Sequence, residues 1–266
     1  VPAVSKSLDV FTDDFLVYNM FDDEDDYVKA PKPVSSDGYE VGMEVCDIWR
    51  NGFQFGWDYT SAFEETHPYL GMFDEGSTEA ADWENKWLSE AGVDFKLVCW
   101  YSGTSTDAQK TPRNSFGLNA YMNSKYSDTV KYAIMWENSG NLPKNAADFR
   151  KNFVPYWIEY YFKDKDRYYT VDNKALFTIY RSSELTKIFG DNAAVKKELD
   201  YLRDQVKALG YDDLIILTTS STSAKYGNFA DMGFDGVYSY NLGPSAFDAQ
   251  YQKTGLKQQL DNANAL

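Results

Sequence analysis

The sequence predicts an α/β fold of the (β/α)8 barrel type, incomplete at its C-terminus, from three observations. Strand-like and helix-like signals alternate along most of its 266 residues, the pattern of a parallel sheet covered by helices. The strand candidates are too continuously apolar for a sheet that is wet on one face. Polar and aromatic residues crowd their C-terminal ends, where barrels carry their chemistry. A closed barrel and an open doubly wound sheet both fit the alternation. No G-x-G-x-x-G or G-x-x-x-x-G-K-S/T follows a strand, which weighs against a nucleotide-binding open sheet.

The elements follow in order. Residues 1–40 hold ten acidic side chains against three lysines and close on a Pro- and Ser-containing stretch, so they read as a leader or packed arm. Their acidic run, Asp22 to Asp26, lacks the spacing of a calcium loop and reads as a solvated face. Residues 41–266 form the barrel domain. Val41–Ile48 is the first strand, and a long aromatic loop follows it. Ser77 caps a helix to about Glu90, with Ala80, Trp83, Trp87 and Ala91 on one face and Gly92 at its end. Phe95–Tyr101 is the second strand. A helix near 113–126 leads to the third, Tyr132–Glu137. The helical region 145–162 contains Pro155, which reads as a kink or a restart. Lys174–Tyr180 is the fourth strand. Asp191 caps the clearest helix, in which Val195, Leu199, Leu202, Val206 and Leu209 recur at helical spacing. Asp213–Thr219 and Gly236–Tyr240 are the fifth and sixth strands, and a last helix starts near Ser245. Six strands leave two for closure. The expectation is a chain that stops short of the last two units, although the leader segments LDVF and FLVY offer strand material.

Composition narrows the partners. Aromatic residues make up 17%, with 21 Tyr, 17 Phe and 7 Trp. Their ring faces suit the C–H faces of sugars, although most such rings in any protein are core. A formal charge of −15 repels phosphate backbones and anionic headgroups, so no nucleic acid and no membrane surface is expected. No apolar run is long enough for a membrane span. The opening VPAVSKS carries neither Met nor an apolar stretch, so a removed signal peptide and a secreted or cell-surface location are expected. Cys46 and Cys99 fall mid-strand and read as buried free thiols, with a bridge between neighbouring strands left open. The single histidine, His67, makes a His-rich metal site impossible; no metal and no cofactor is expected. A monomer is the expected state.

Four stretches in order resemble the glycoside hydrolase family 99-like, or WbsX-like, group. They are GWDYTSAFEETHPYLGMFDEG (56–76), ADWENKWLSEAGVDFKLVCWY (81–101), MWEN (135–138) and YYFKDKDRYYTVDNKALFTIY (160–180). The resemblance implies a (β/α) barrel that acts on glycans. Asn173 and Ala175 stand where the group usually has Gly and Pro. The mannan-cleaving members use a Glu-x-x-Glu pair, which this chain lacks throughout, so that mechanism is not carried over.

A glycosidase needs one protonated carboxyl to assist the leaving oxygen and a second carboxylate as nucleophile or base. Glu137, which ends an apolar strand, is the first candidate for the acid; a structural ion pair is the competing reading. Asp47 at the end of the first strand, and Asp74 and Glu75 before the first helix, are the candidate partners. For Asp74 and Glu75, capping a helix N-terminus is the alternative. Trp57 and Asp58 in the first loop, Trp100, Tyr101, Trp136 and Asn138 at strand ends, and Tyr180, Arg181, Tyr238 and Tyr240 further on are candidate substrate contacts, each weighed against packing. His67 is a candidate sugar contact or a structural hydrogen-bonder. The expectation is a glycoside hydrolase acting on a neutral, mannan-like or related glycan through paired carboxylates. A non-catalytic carbohydrate-binding barrel and a glycosyltransferase of surface-polysaccharide synthesis are the alternatives; the DKD at 164–166 sits in a polar turn and reads as solvated rather than as a nucleotide-sugar site.

Overall fold

The computed structural model describes residues 27–36, 38–50, 57, 60–63, 65, 67–103, 115–219, 227–238, 240, 254 and 257. The acidic run, Asp58 and the start of the last helix lie outside them. The chain separates into two compact units, Val1–Val98 with Asn114–Tyr132, and Cys99–Arg113 with Ala133–Leu266.

In the first unit, β1 (Gly42–Val45) and β2 (Phe95–Trp100) pair in parallel, with Gly42 opposite Phe95 and Val45 opposite Val98. Parallel neighbours need a crossover, and α1 (Thr78–Glu90) supplies it. Ser77 caps α1 as its side chain accepts from the Ala80 N–H, and Gly92 adopts a left-handed φ of 77° just beyond it. The buried face of α1 is Ala80, Ala81, Asp82, Asn85, Leu88 and Ser89. This corrects the face expected from the sequence: Trp87 is 40% exposed, because small and polar residues, not the rings, face the strands. Helix α2 (Phe116–Asn123) belongs to the same unit. Residues 27–36 run against α1. The Val34 N–H donates to Ser89 O at 3.0 Å, and Tyr126 Oη donates to Val28 O at 2.9 Å. Buried Asp82 gathers the N–H groups of Lys125 (3.0 Å) and Tyr126 (2.7 Å) and the hydroxyl of Tyr27, so a single carboxylate pins this arm and the segment after α2 to α1.

In the second unit, β3 (Lys131–Trp136), β5 (Lys174–Ile179), β6 (Asp213–Thr219) and β7 (Gly236–Tyr238) are parallel neighbours in that order. The short β4 (Thr170–Val171) pairs antiparallel with β5. It is a hairpin the sequence reading missed, with Asp172 and Asn173 at φ of 50° and 57°, the left-handed pair that a tight hairpin turn demands. The helix α3 spans residues 146–162 and does not break at Pro155. Widened π-helical turns at Phe149–Phe153 and Ile158–Phe162 flank the proline, absorbing its missing N–H. Helices α4 (Ser182–Phe189) and α5 (Asn192–Lys207) follow β5, and α6 (Gly227–Asp231) lies between β6 and β7. In α5 Val195, Leu199, Leu202 and Val206 are fully buried, as their spacing predicts.

An aromatic core fills the space under α3. Trp136, Phe149, Phe153, Trp157 and Phe177 are all 0% exposed. Trp136 and Trp157 meet edge-on at 5.2 Å between centroids, and Trp157 sits 4.9 Å from Phe177. Trp100 joins them, 5.3 Å from Trp157 and bonded through its indole N–H to Tyr161 Oη at 3.0 Å. Neither cysteine is in a disulfide. Cys99 is buried, but Cys46 lies past the end of β1 and is exposed, which corrects the reading of Cys46 as a buried mid-strand thiol.

Candidate active site

In the first unit, β1 ends at Val45 and the chain turns so that Asp47 lies beside the start of α2. The approach is close. A Cβ added at Gly117 would land on the Asp47 Cβ and carbonyl oxygen, so only glycine lets α2 ride over this loop. Two residues on, Trp49 and Glu75 exchange bonds. The Glu75 N–H donates to Trp49 O at 3.1 Å, and the Trp49 N–H donates to the Glu75 carboxylate. This clasp sets Glu75 at the entry to α1. The loop between is anchored by Trp57, which stacks on Trp49 at 4.8 Å and donates its indole N–H to Phe73 O.

These elements form a partly open cavity of about 220 Å³ lined by Asp47, Glu75 and Glu84, with Leu70, Phe73 and Trp87 on its apolar side. Lys96, on β2, is 0% exposed. Its ammonium sits 2.5 Å from Glu84 Oε2, 3.8 Å from Asp47 Oδ2, and 4.7 Å from the Tyr121 ring centroid. Burial alone pulls a lysine towards neutrality, but Glu84 and Asp47 outweigh it and raise its pKa. It therefore stays charged.

The carboxyls respond in the opposite sense. Burial pushes Glu75 up to about 8, aided by Asp47 and Glu84 and opposed by the Trp49 N–H. Burial and the neighbouring Glu84 push Asp47 up to about 7, with Lys96 pulling it back. Near neutral pH the pair therefore holds one proton more than two ordinary carboxylates would. One acid and one carboxylate facing a partly open, partly apolar cavity is an arrangement able to donate a proton and to attack or activate water.

Of the four carboxylates singled out from the sequence, the structure brings Asp47 and Glu75 to one cavity. Asp74 instead pairs with Arg50 at 2.6 Å and accepts the Gly76 N–H at 2.7 Å, holding the turn into α1. Glu137 belongs to the second unit. It is half-buried at the end of β3, where its carboxylate accepts the Ser139 hydroxyl.

The expected substrate contacts divide in the same way. Trp100 and Trp136 are 2% and 0% exposed inside the aromatic core, so neither presents a face to a ligand. Trp57 is 7% exposed and anchors its loop. Asn138 is buried and clamps the end of β5, donating to Arg181 O at 2.8 Å and accepting from Arg181 N at 2.7 Å. His67 contacts Ser61 O at 3.1 Å through Nε2. Tyr101 is half-buried after β2. Tyr180 meets Tyr240 edge-on at 5.0 Å with the Arg181 guanidinium 5.3 Å from the Tyr180 centroid, and Tyr240 is 44% exposed. The Tyr238 hydroxyl lies 2.9 Å from Met135 Sδ and 3.4 Å from Thr178 Oγ1. Sequence reading missed Glu84 and Lys96. The signal for Lys96 was present, a lone lysine in the apolar run FKLVCW; Glu84 offered none, being one of many acidic residues on a helix surface. Among the described residues no group of three or more His, Cys, Asp and Glu side chains is placed to hold a metal ion, and no helix is long and apolar enough to cross a membrane.

Comparison with known proteins bears on the family and the fold. The sequence profile of the family described as Glycosyltransferase WbsX matches residues 119–265. No curated protein matches the chain. Among solved structures, the GH99 endo-alpha-mannosidase from Bacteroides thetaiotaomicron superposes with a TM-score of 0.54 at 16% identity, over 84% of this chain and 69% of that one. A second structure of this enzyme, in complex with BIS-TRIS-propane, gives 0.49 at 16% identity, over 83% and 67%. The strand–helix order described above is thus similar to that of the first of these two structures.

Proposed function

From the family to which this chain belongs, that of WbsX, we propose a glycoside hydrolase that cleaves a neutral glycan with Asp47 and Glu75. The observation that carries the reading is that Asp47 and Glu75 line one cavity beside the buried Lys96 ammonium, where burial raises both carboxyls. Glu75, the weaker acid, keeps its proton at neutral pH and protonates the leaving glycosidic oxygen. Asp47, beside the Lys96 ammonium, supplies the carboxylate that attacks the anomeric carbon or activates water. Lys96 is a positioning residue: its charge favours the ionised form of Asp47, and its bond to Glu84 fixes it to α1. The closed eight-stranded barrel, a secreted or cell-surface setting and a monomeric state belong to the same proposal.

The family description favours a second reading, a glycosyltransferase, and the strand-end carboxylate Glu137 offers a second acid. One experiment separates these. Wild type, Glu75→Gln and Glu137→Gln are incubated with α-mannan and with other neutral polysaccharides, with and without nucleotide sugars, and the products are sized. Chain shortening by wild type and Glu137→Gln without nucleotide sugar, lost in Glu75→Gln, is the expected result. Turnover only with a nucleotide sugar would sink the hydrolase reading, and loss in Glu137→Gln alone would move the chemistry to β3. Bound polymer that is never cut would make the protein a carbohydrate-binding barrel.

A further inference from the structure

The outer face of α1 carries rings that the packing of the first unit covers only in part. Trp83 and Trp87 stand one helical turn apart with centroids 5.4 Å apart, and Tyr69 meets Trp87 edge-on at 6.1 Å. Tyr69 is 80% exposed and Trp87 40%. Large rings left in water forgo burial, and a contiguous run of them marks a binding surface. At one end the run continues into the cavity of Asp47 and Glu75, since Trp87 and the neighbour of Tyr69, Leu70, line it. At the other end Trp83 lines a groove of about 630 Å³ between residues 27–34 and α1, shared with Tyr27, Lys29, Lys32, Lys86 and Glu90. The Trp83 indole N–H is buried and meets no acceptor among the described residues. A buried donor without an acceptor is costly, and an incoming hydroxyl would satisfy it.

We propose that this face is a binding track for an extended neutral glycan, running from the groove across Trp83, Trp87 and Tyr69 to the cavity. The inference rests on the hydrolase reading for the direction of the track, but its ligand chemistry stands on the surface itself. Ring faces alternate with carboxylates, ammonium groups and an unmet N–H, which suits pyranose rings that are apolar on their faces and hydroxylated at their edges. A docked protein helix would need a continuous apolar groove instead. A polyanion would find Lys29, Lys32 and Lys86 in the groove but would meet Glu84 and Asp47 at the cavity end and a chain of net charge −15.

The test is electrophoresis of the native protein through gels cast with α-mannan, galactomannan or dextran, run briefly in the cold. At least one polymer should retard the wild type. Tyr69→Ala with Trp87→Ala should weaken that retardation about tenfold, the scale of one or two lost ring contacts. Trp83→Phe, which keeps the ring and removes only the N–H, should weaken it about threefold. Tyr69→Ala alone, at an exposed position, guards against misfolding and should show part of the loss. Absence of retardation by all three polymers, or a double variant retarded as strongly as wild type, would overturn the track. Retardation lost in the double variant of a protein that never cuts polymer would reject the hydrolase reading and leave the track standing.

Discussion

The two units solve the problem of covering a parallel strand in opposite ways. Under α3 the space is filled by rings, with Trp136, Phe149, Phe153, Trp157 and Phe177 all sealed from water. Under α1 the buried positions include Asp82, Asn85, Ser89 and Lys96, and a cavity remains. Close packing of apolar rings yields stability; buried charge around a void weakens it and is kept where chemistry or binding needs it. On the proposed reading the chemistry belongs to the first unit, and the contrast can be broken at four points.

The largest effect is on turnover. Glu75→Gln should lower kcat/KM by about 10²–10⁴, the range for losing a general acid, whereas Glu137→Gln should change it little. Comparable losses in both variants, measured by reducing-sugar release, would erase the distinction between the units. Next is the ring core. Trp157→Ala should cost about 3–5 kcal/mol of stability, read from denaturant unfolding, because its neighbours cannot collapse into the gap.

The third effect has the opposite sign to ordinary acid denaturation. Glu75 and Asp47 sit at about 8 and about 7 in the fold, far above the usual carboxylate range. The folded state therefore binds protons that the unfolded chain releases. Their contribution to stability is complete below about pH 4 and is lost as pH rises to about 8. The thermal midpoint should fall across this window, and Glu75→Gln should flatten the fall and be more stable than wild type at pH 8. A midpoint that rises steadily to pH 8 in wild type would show the carboxyls to be ordinary. The smallest effect concerns β3. Asn138→Ala leaves the Arg181 N–H and C=O unmet and should cost about 1–3 kcal/mol with KM for short glycans unchanged.

The same contrast explains what the sequence could tell. Periodicity reveals which residues an element buries when apolar side chains do the burying. The α5 positions Val195, Leu199, Leu202 and Val206 were legible for that reason, as were the six strands of the parallel set within a few residues. It fails where small and polar residues face inward. On α1 the rings Trp83 and Trp87 dominate any hydrophobic pattern, yet Ala80, Ala81 and Asn85 are the buried set. At strand ends the aromatic crowding was visible, but not its direction: Trp100 and Trp136 turn into the core. Asp47 and Glu75 were legible as candidates because both sit at element boundaries. Their meeting was not, since it depends on the Trp49 clasp and on the glycine at 117, which are tertiary contacts.

The most direct test of the shared cavity is a carbon-13 NMR titration of the side-chain carboxyls in wild type and in Glu75→Gln. Two resonances with midpoints near 7 and 8 are expected in wild type, the upper one absent from the variant. Midpoints for both below about 5, where solvent-exposed carboxylates titrate, would contradict this.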